Sequence, residues 1–364
     1  VEELPPVRLF LRWETGRIGL IIAWMKGITV GICGYGRIGR EHAAWIQRSG
    51  SQVWGVFDPT PARRELAAAD GWQVFQSRDE LLASQPEAVL VASPTSEHLD
   101  DAKAAIRNGR AVMVEKPVAL DAAGAVELDR LAREAGKSLC VFQNRRWDRD
   151  FLTLRTAVQE GSLGKLINVE SRLGQYASCV GPAAAEWRPQ WRTEARWGGG
   201  GLYDWGSHFV DQVRLMLEPA RCTCVFAQMR PGVWSRDCDD FARVCMEFSD
   251  GTVALVEINT LTHSALPRWH VDGTLATVSS PSDPGFDLAV WSNFTVSSKS
   301  DAGEAGQLQP QEFAEPEVWI WKEFARACRG MAAVPVPIEG VIQTMRILDA
   351  ARRSASDRQA VRLE

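Results

Sequence analysis

The sequence predicts an α/β protein: an N-terminal doubly wound parallel sheet followed by a C-terminal α+β domain with a mostly antiparallel sheet. Three observations predict it. Short apolar runs alternate with amphipathic segments from Gly27 to Asn144, the pattern of parallel strands joined by helical crossovers. Gly34, Gly36 and Gly39 fall in the spacing G-x-G-x-x-G at the first strand-to-helix turn. Beyond about residue 150, strand-like runs follow one another with turn signals between them.

Each element has a local cause. "GITVGICG" is a short strand of buried type, and the helical spacing of "REHAAWIQRSG" stops at Gly50. "QVWGVFD" is a second strand ending at Asp58, and a helix follows over Pro61–Ala69. Ser77-Arg78-Asp79-Glu80 reads as a capping box. Ala88–Ser93 is an apolar strand, and "EHLDDAKAAIRNGR" a helix closed by Gly109. "AVMVEK" is another strand, Asp121 caps a helix ending at Gly136, and "SLCVFQN" is a further strand. Downstream, "KLINVESR", "CTCVFAQMR", "DFARVCMEF", "TVALVEINT", "RWHVDGT" and "LATVSS" read as strands, with Asp250-Gly251 and Asp272-Gly273 as hairpin turns. One helix, Tyr203–Leu217, interrupts them. Pro281–Glu312 reads as a long polar surface loop or a partly ordered excursion, and helices near Pro316–Arg329 and Ile338–Ser354 close the chain.

A chain of 364 residues exceeds one ordinary core. The expected divisions are 1–24, an N-terminal extension; 25–146, the dinucleotide-binding domain; and 147–364, a substrate-binding domain. Met25-Lys26 stands just before the first strand, so the functional chain is expected to start at Met25. A net charge of −5 without a basic block is poor material for nucleic-acid binding. The apolar run Ile18–Met25 is far short of the ~20 residues that span a bilayer, so no membrane partner is expected. The eight cysteines show no metal-ligand spacing: Cys222 and Cys224 are two apart, as on one strand face. No metal is expected, and small buried thiols suit a reducing cytoplasm.

In the glycine turn the three residues serve a tight turn, close approach to a pyrophosphate and helix-on-sheet packing, while helix N-terminal amides bind the anion. A bound dinucleotide is the expectation. Asp58, 19 positions after Gly39, can accept ribose hydroxyls and repel a 2′-phosphate, favouring NAD. Arg37, Arg63 and Arg64 can hold a phosphate, so NADP also fits. Lys116 in "VEKPV" ends a parallel strand and points into the crevice where open sheets bind ligands, and Pro117 fixes the turn and can be cis. "GGGGLYDWGSHFVDQ" sets Asp204 and His208 at i and i+4, a carboxylate beside a proton carrier, with Asp211 structural one turn on. Trp187, Trp191, Trp197 and Trp205 cluster with Arg188 and Arg192, and "NRRWDRDF" adds Trp147. Aromatic faces and charged hydrogen-bonding groups together suit a polyol.

In order and spacing these motifs resemble the Gfo/Idh/MocA oxidoreductases. The matching residues are the glycine triplet with His42 three positions on, "ASPTSEH" (Ala92–His98), Glu115-Lys116-Pro117, and "GGGLYDWGSHFVD" (Gly199–Asp211). The resemblance implies a Rossmann domain plus a domain with a large open sheet. It also implies NAD(P)-linked hydride transfer at a secondary alcohol of a sugar or inositol-like cyclitol, and homodimers or homotetramers joined through the sheets. Cofactor contacts would come from Gly34, Gly36, Arg37, Ile38, Gly39, Asp58, Ser93, Pro94, Thr95, His98, Glu115 and Lys116. Lys116, Asp204 and His208 would form the reaction centre, with Trp147 and Trp191 added as substrate contacts. His208 is expected to act as the base, Asp204 to orient its imidazole, and Lys116 to hold the substrate oxygen. Two other readings are a dihydrodiol- or tetrapyrrole-type reductase and a non-catalytic NAD(P)-sensing regulator. The regulator typically lacks the catalytic residues that are all present here.

Overall fold

The computed structural model describes residues 27–178, 190–235, 237–283, 287–298 and 306–363. The expectations for residues 1–24, and for Trp187 with Arg188, lie outside the described residues.

The first sheet holds β1 (Thr29–Cys33), β2 (Gln52–Phe57), β3 (Ala88–Val91), β4 (Ala111–Val114) and β5 (Leu139–Val141), all parallel, in the order β2-β1-β3-β4-β5. Every residue of β3 and β4 is buried, which is why "AVLV" and "AVMV" show no alternation. The crossovers are α1 (Arg37–Arg48), α2 (Pro61–Ala69) with α3 (Arg78–Ala83), α4 (Thr95–Arg107) and α5 (Ala122–Ala135). The caps are those read from the sequence: Ser77 Oγ accepts from the Glu80 amide at 3.1 Å, and Asp121 Oδ1 from Gly124 at 2.8 Å. The chain leaves β1 for opposite neighbours, β2 and β3, so a crevice opens beyond the carboxyl ends of these strands.

After α6 (Arg149–Gln159), absent from the sequence reading, the second sheet begins. Its strands are β6 (Leu166–Gly174), β7 (Cys222–Arg230), β8 (Phe241–Phe248), β9 (Val253–Asn259), β10 (Trp269–Gly273), β11 (Ala276–Ser279), β12 (Thr295–Ser298), β13 (Gly306–Gln307) and β14 (Val361–Arg362). The order is β13-β12-β11-β10-β6-β9-β8-β7-β14, antiparallel except for β6 with β9. Alternation is clean along β8, whose Ala242, Val244 and Met246 point inward while Arg243, Cys245 and Glu247 point out. Two expectations are corrected. Pro281–Glu312 is not one surface loop: α8 (Leu288–Trp291), β12 and β13 lie within it, Trp291 and Phe294 are buried, and pairing to β11 extends the sheet. Asp272-Gly273 still pairs with β6, so the β10–β11 turn falls on Thr274-Leu275.

The Tyr203–Leu217 helix begins as a π turn, Leu202–Gly206, and continues as α7 (Ser207–Met216). The closing helices α9 (Pro316–Cys328) and α10 (Ile338–Asp357) return to the first domain. α9 packs on α1, and α10 packs on α5, α7 and β7, with Asp349 Oδ2 accepting the Ala122 amide at 2.8 Å. The seven described cysteines are free thiols. Among the described residues no helix is long and apolar enough to cross a membrane, and no acidic, His or Cys group could hold a metal ion.

A Cβ on Gly39 would stand 2.1 Å from the Gly34 carbonyl oxygen, against the helix-on-sheet contact. Gly39→Ala should therefore destabilise the protein by about 1–3 kcal/mol, the usual range for overpacking. Urea unfolding measures this, and an unchanged midpoint would mean the turn is looser than described.

Candidate active site

A cleft of about 620 Å³ runs from the glycine turn to α7 between the two domains. Its first-domain wall is the set of turns that the parallel sheet leaves at its carboxyl end. Gly34 has φ +97°, and a Cβ there would meet the Ala92 backbone at 2.5 Å. Gly36 faces open space, its nearest neighbour an Arg63 nitrogen 3.8 Å from a would-be Cβ. Gly36 caps α1 without a side-chain acceptor, which leaves the helix amides directed outward. Thr95, 1% exposed at the start of α4, has a hydroxyl without a partner. An open glycine at a helix N-terminus and a buried unpartnered hydroxyl fit a dinucleotide. Of the expected cofactor contacts, Gly36, Arg37, Ile38, Ser93, Pro94, Thr95, His98, Glu115 and Lys116 line the cleft. Gly34 and Gly39 shape the turn from beneath.

Asp58 is not among the residues that line the cleft. It is 1% exposed, and its carboxylate accepts the Tyr35 and Thr60 amides, each at 2.8 Å, with Arg63 Nη1 at 3.5 Å. The strand-end carboxylate ties the glycine turn to the next turn, and Arg63 is the side chain that reaches the cleft.

A chain of buried hydrogen bonds carries Glu115 and Lys116. Trp321 of α9 donates Nε1–H to His42 Nδ1 at 3.0 Å. An indole can only donate, so His42 holds its proton on Nε2 and gives it to Glu115 Oε1, 2.8 Å away. Glu115 Oε2 in turn accepts the Lys116 amide at 3.0 Å. Burial pushes the Glu115 carboxyl up, but His42, Lys116 and His98 outweigh it and hold its pKa below the ordinary value. His98 bridges the carbonyls of Ser93 and Pro117, 2.8 and 2.7 Å away, fastening the start of α4 to the cis Lys116-Pro117 turn.

Lys116 crosses to the second domain. Its Nζ donates to the Asp204 carbonyl at 2.7 Å and to Asp204 Oδ1 at 3.1 Å, and Arg192 Nε stands 3.6 Å from the same carboxylate. Burial raises the Asp204 pKa, yet Lys116, Arg192 and Arg145 together hold it below its ordinary value. The expected Asp204–His208 pair does not form. Both residues line the cleft, but the Asp204 carboxylate is taken by Lys116 and the His208 ring by Gln143. His208 Nδ1 instead meets Gln143 Oε1 at 2.7 Å, while the other end of that amide, Nε2, donates weakly to the Ser207 carbonyl at 3.4 Å. The imidazole is 4% exposed, and burial, Lys116, Arg145 and Arg268 push its pKa well below 6.5. It is a neutral ring with Nδ1–H given to Gln143 and the Nε2 lone pair left for the cleft.

Gln143 was missed by the sequence reading, although its place at the carboxyl end of β5 is where open sheets present ligand groups. Trp191 and Trp205 line the cleft, each under a guanidinium: Arg192 lies 4.4 Å from the Trp191 ring centre and Arg145 4.7 Å from that of Trp205. Trp147 does not line it. It packs in an aromatic cluster, 5.1 Å from Trp319 and 6.3 Å from Phe313. Trp197 lies under Arg196, also off the cleft. Asp211 is structural as expected, accepting a two-bond fork from Arg146 at 2.7 and 2.8 Å and Thr344 at 2.9 Å.

Fold and cleft together define a two-domain oxidoreductase of the nicotinamide-dinucleotide class. Residues 28–143 match the model of the oxidoreductase family with an NAD-binding Rossmann fold, and residues 151–279 that of the GFO/IDH/MocA C-terminal domain. The chain belongs to the Gfo/Idh/MocA oxidoreductase family. It is 34% identical over 216 residues to YdgJ of Escherichia coli, an uncharacterized oxidoreductase, a match spanning 58% of this chain and 60% of that one. It is 27% identical to scyllo-inositol 2-dehydrogenase (NADP(+)) IolW of Bacillus subtilis, over 76% of this chain and 79% of the relative. Among solved structures, an NAD-binding protein from Listeria innocua superposes with a TM-score of 0.82 at 26% identity, covering 93% of this chain and 97% of that one.

Burial is the first cause of the depressed His208 pKa, and Lys116 is the first of the cations that add to it. Lys116→Met should therefore raise it, measured by the histidine ring resonances across a pH titration. Gln143→Leu should leave the ring neutral but free to change tautomer. An unmoved His208 pKa in Lys116→Met would assign the depression to burial alone.

Proposed function

We propose that the chain is an NAD(P)-dependent dehydrogenase that moves a hydride between a secondary alcohol of a sugar or cyclitol and the nicotinamide. The observation that carries this reading is a Gln143-held His208 in the same cleft as Lys116. When bound, the nicotinamide supplies the hydride chemistry. The α1 N-terminus with Gly36, Arg37 and Ile38 would hold its pyrophosphate, and Thr95 and Pro94 would border it. The chain's own residues handle the proton and the geometry. His208 Nε2 removes the hydroxyl proton, and Lys116 holds the same oxygen as negative charge develops there. Asp204 keeps the ammonium in place. The presence of all three favours an enzyme over a sensing regulator. Free thiols suit a reducing, cytoplasmic setting.

Arg63 lines the cleft and Asp58 does not, so we assign discrimination at the adenosine ribose to Arg63. NADP+ should then bind at least as well as NAD+. Arg63→Ala should weaken NADP+ by about tenfold or more, on the scale of a charge-assisted hydrogen bond, with little effect on NAD+. Titration of both cofactors by tryptophan fluorescence decides it, and equal losses would remove Arg63 from the 2′ position.

The outer face of the second sheet supports self-association. Phe226, Cys245 and Leu255 stand in register across β7, β8 and β9, with Val253 two residues on. A homodimer or homotetramer joined there should dissociate in Phe226→Glu, as read by light scattering. An unchanged mass would place the contact elsewhere.

The catalytic roles are tested on a panel of inositols, aldoses and dihydrodiols. His208→Ala should lower kcat by about 10²–10⁴-fold with cofactor affinity intact. Lys116→Ala should harm both kcat and substrate binding. Near wild-type turnover in His208→Ala, with none in Lys116→Ala, would make the lysine the base.

A further inference from the structure

Two buried side chains stand behind the reaction centre without lining the cleft: Gln212 of α7, and Arg268, which directly precedes β10. Arg268 Nη2 donates to Gln212 Oε1 at 2.6 Å, and Gln212 Nε2 donates to the Arg145 carbonyl at 2.6 Å. A guanidinium has no acceptor, so the Gln212 oxygen must face Arg268 and its NH₂ group must face Arg145. Arg268 is itself fixed on several sides. Its Nη1 donates to Ser171, and Asp150 Oδ2 stands 3.6 Å from Nε. The ring centres of Phe209 and Trp269 lie 3.5 and 4.2 Å from its guanidinium carbon.

The Arg145 carbonyl belongs to the short helical turn Asn144–Trp147, which Gln143 opens by accepting the Arg146 amide at 3.2 Å. His208 and Gln212 are four apart in α7, so they meet this turn from one face of the helix. The turn is therefore docked on α7 by two rungs. One is the Gln143 side chain with the His208 ring at 2.7 Å, and the other is the Arg145 carbonyl with Gln212. The first rung sets the tautomer of the ring. The second sets where the turn that presents Gln143 sits. Hydrophobic side chains would fill this core without the desolvation cost of a guanidinium. Burial pushes the Arg268 pKa down to about 10, against the pull of Asp150 and Asp148. What the buried guanidinium adds is a single orientation of the Gln212 amide.

We infer that Gln212, oriented by Arg268, is a positioning residue for proton transfer: it holds the turn after β5 so that the Gln143 amide keeps His208 in one tautomer. This rests on the dehydrogenase reading and deepens it. Neither Gln212 nor Arg268 touches the reacting atoms. Their bonds run in one direction, from the second sheet through α7 and the Arg145 carbonyl to the turn that bears Gln143.

The test is the histidine ¹⁵N–¹H correlation spectrum of the full labelled chain, with His208 assigned against a His208→Asn variant. Gln212→Met fills a similar space without the two hydrogen bonds. It should draw the His208 Nδ1 and Nε2 shifts toward one another, as the tautomers exchange, with NAD+ affinity unchanged. Gln143→Leu should do the same, and the double variant should move the shifts no further, because both changes act through one contact. If Gln212→Met does not fold, Gln212→Glu is read in its place. Its carboxylate keeps the Arg268 contact but offers no donor to the Arg145 carbonyl, so the shifts should converge there too. A wild-type His208 spectrum in a folded Gln212 variant, or further movement in the double variant, overturns the inference. Loss of fold in both Gln212 variants also overturns it, since the residue would then be structural. None of these readouts needs a substrate. Converging shifts without turnover of any polyol would support the placement of His208 by Gln212 and sink the dehydrogenase reading. Polyol turnover with unmoved shifts would do the reverse.

Discussion

The ammonium of Lys116, reaching out of the first domain to both the carbonyl and the carboxylate of Asp204, is the interaction on which the cleft depends. It fastens the end of a parallel strand to the π turn that opens α7. It also supplies part of the positive charge that keeps His208 neutral. Each effect needs the other partner. Without Asp204 the ammonium would lose its carboxylate partner, and without Lys116 only Arg192 and Arg145 would oppose the upward push of burial on the carboxylate. Coulombic interaction is strong here because both side chains are largely withdrawn from water.

Behind this contact lies a supporting layer that is polar and buried yet satisfied. Trp321, His42 and Glu115 form one directional chain whose proton positions are set by the indole at its start. Arg146, Asp211 and Thr344 form another, joining the turn after β5 to α7 and α10. Each chain takes a residue from a closing helix: Trp321 fixes His42 in the first domain, and Thr344 meets Asp211 of α7, which holds Arg146 after β5. The C-terminal segment therefore completes the cofactor domain, although it is farthest from it in sequence. Half-satisfied networks of this kind would be destabilising, and these two close with donors matched to acceptors.

Much of this was legible in the sequence because local rules and global fold agree there. Unbroken apolar runs gave the parallel strands, Ser77 and Asp121 gave helix starts, and the glycine triplet gave the turn. The site set of Lys116, Asp204 and His208 also converges in one cleft. What failed did so where tertiary contacts override local pattern. Asp204 and His208 are four apart and share the cleft, but Lys116 and Gln143, distant in sequence, take the two side chains, so the direct pair is not made. Asp58 occupies the expected position, yet it is buried off the cleft lining and accepts one amide from the glycine turn and one from its own turn. Trp147 was grouped with the cleft by proximity in sequence, whereas its partners Phe313 and Trp319 lie more than 160 residues away. Gln143 carries no motif at all, and only its strand-end position could have marked it.

The central claim is that His208 rests as a neutral imidazole with its proton on Nδ1, held by Gln143. It is tested most directly by the long-range ¹⁵N–¹H correlation spectrum of histidine-labelled protein at pH 7. With five histidines in the chain, comparison with a His208→Asn variant assigns the resonance. The account predicts one protonated-type shift at Nδ1 and one unprotonated-type shift at Nε2. Two equal, imidazolium-type shifts, or the proton on Nε2, would contradict it.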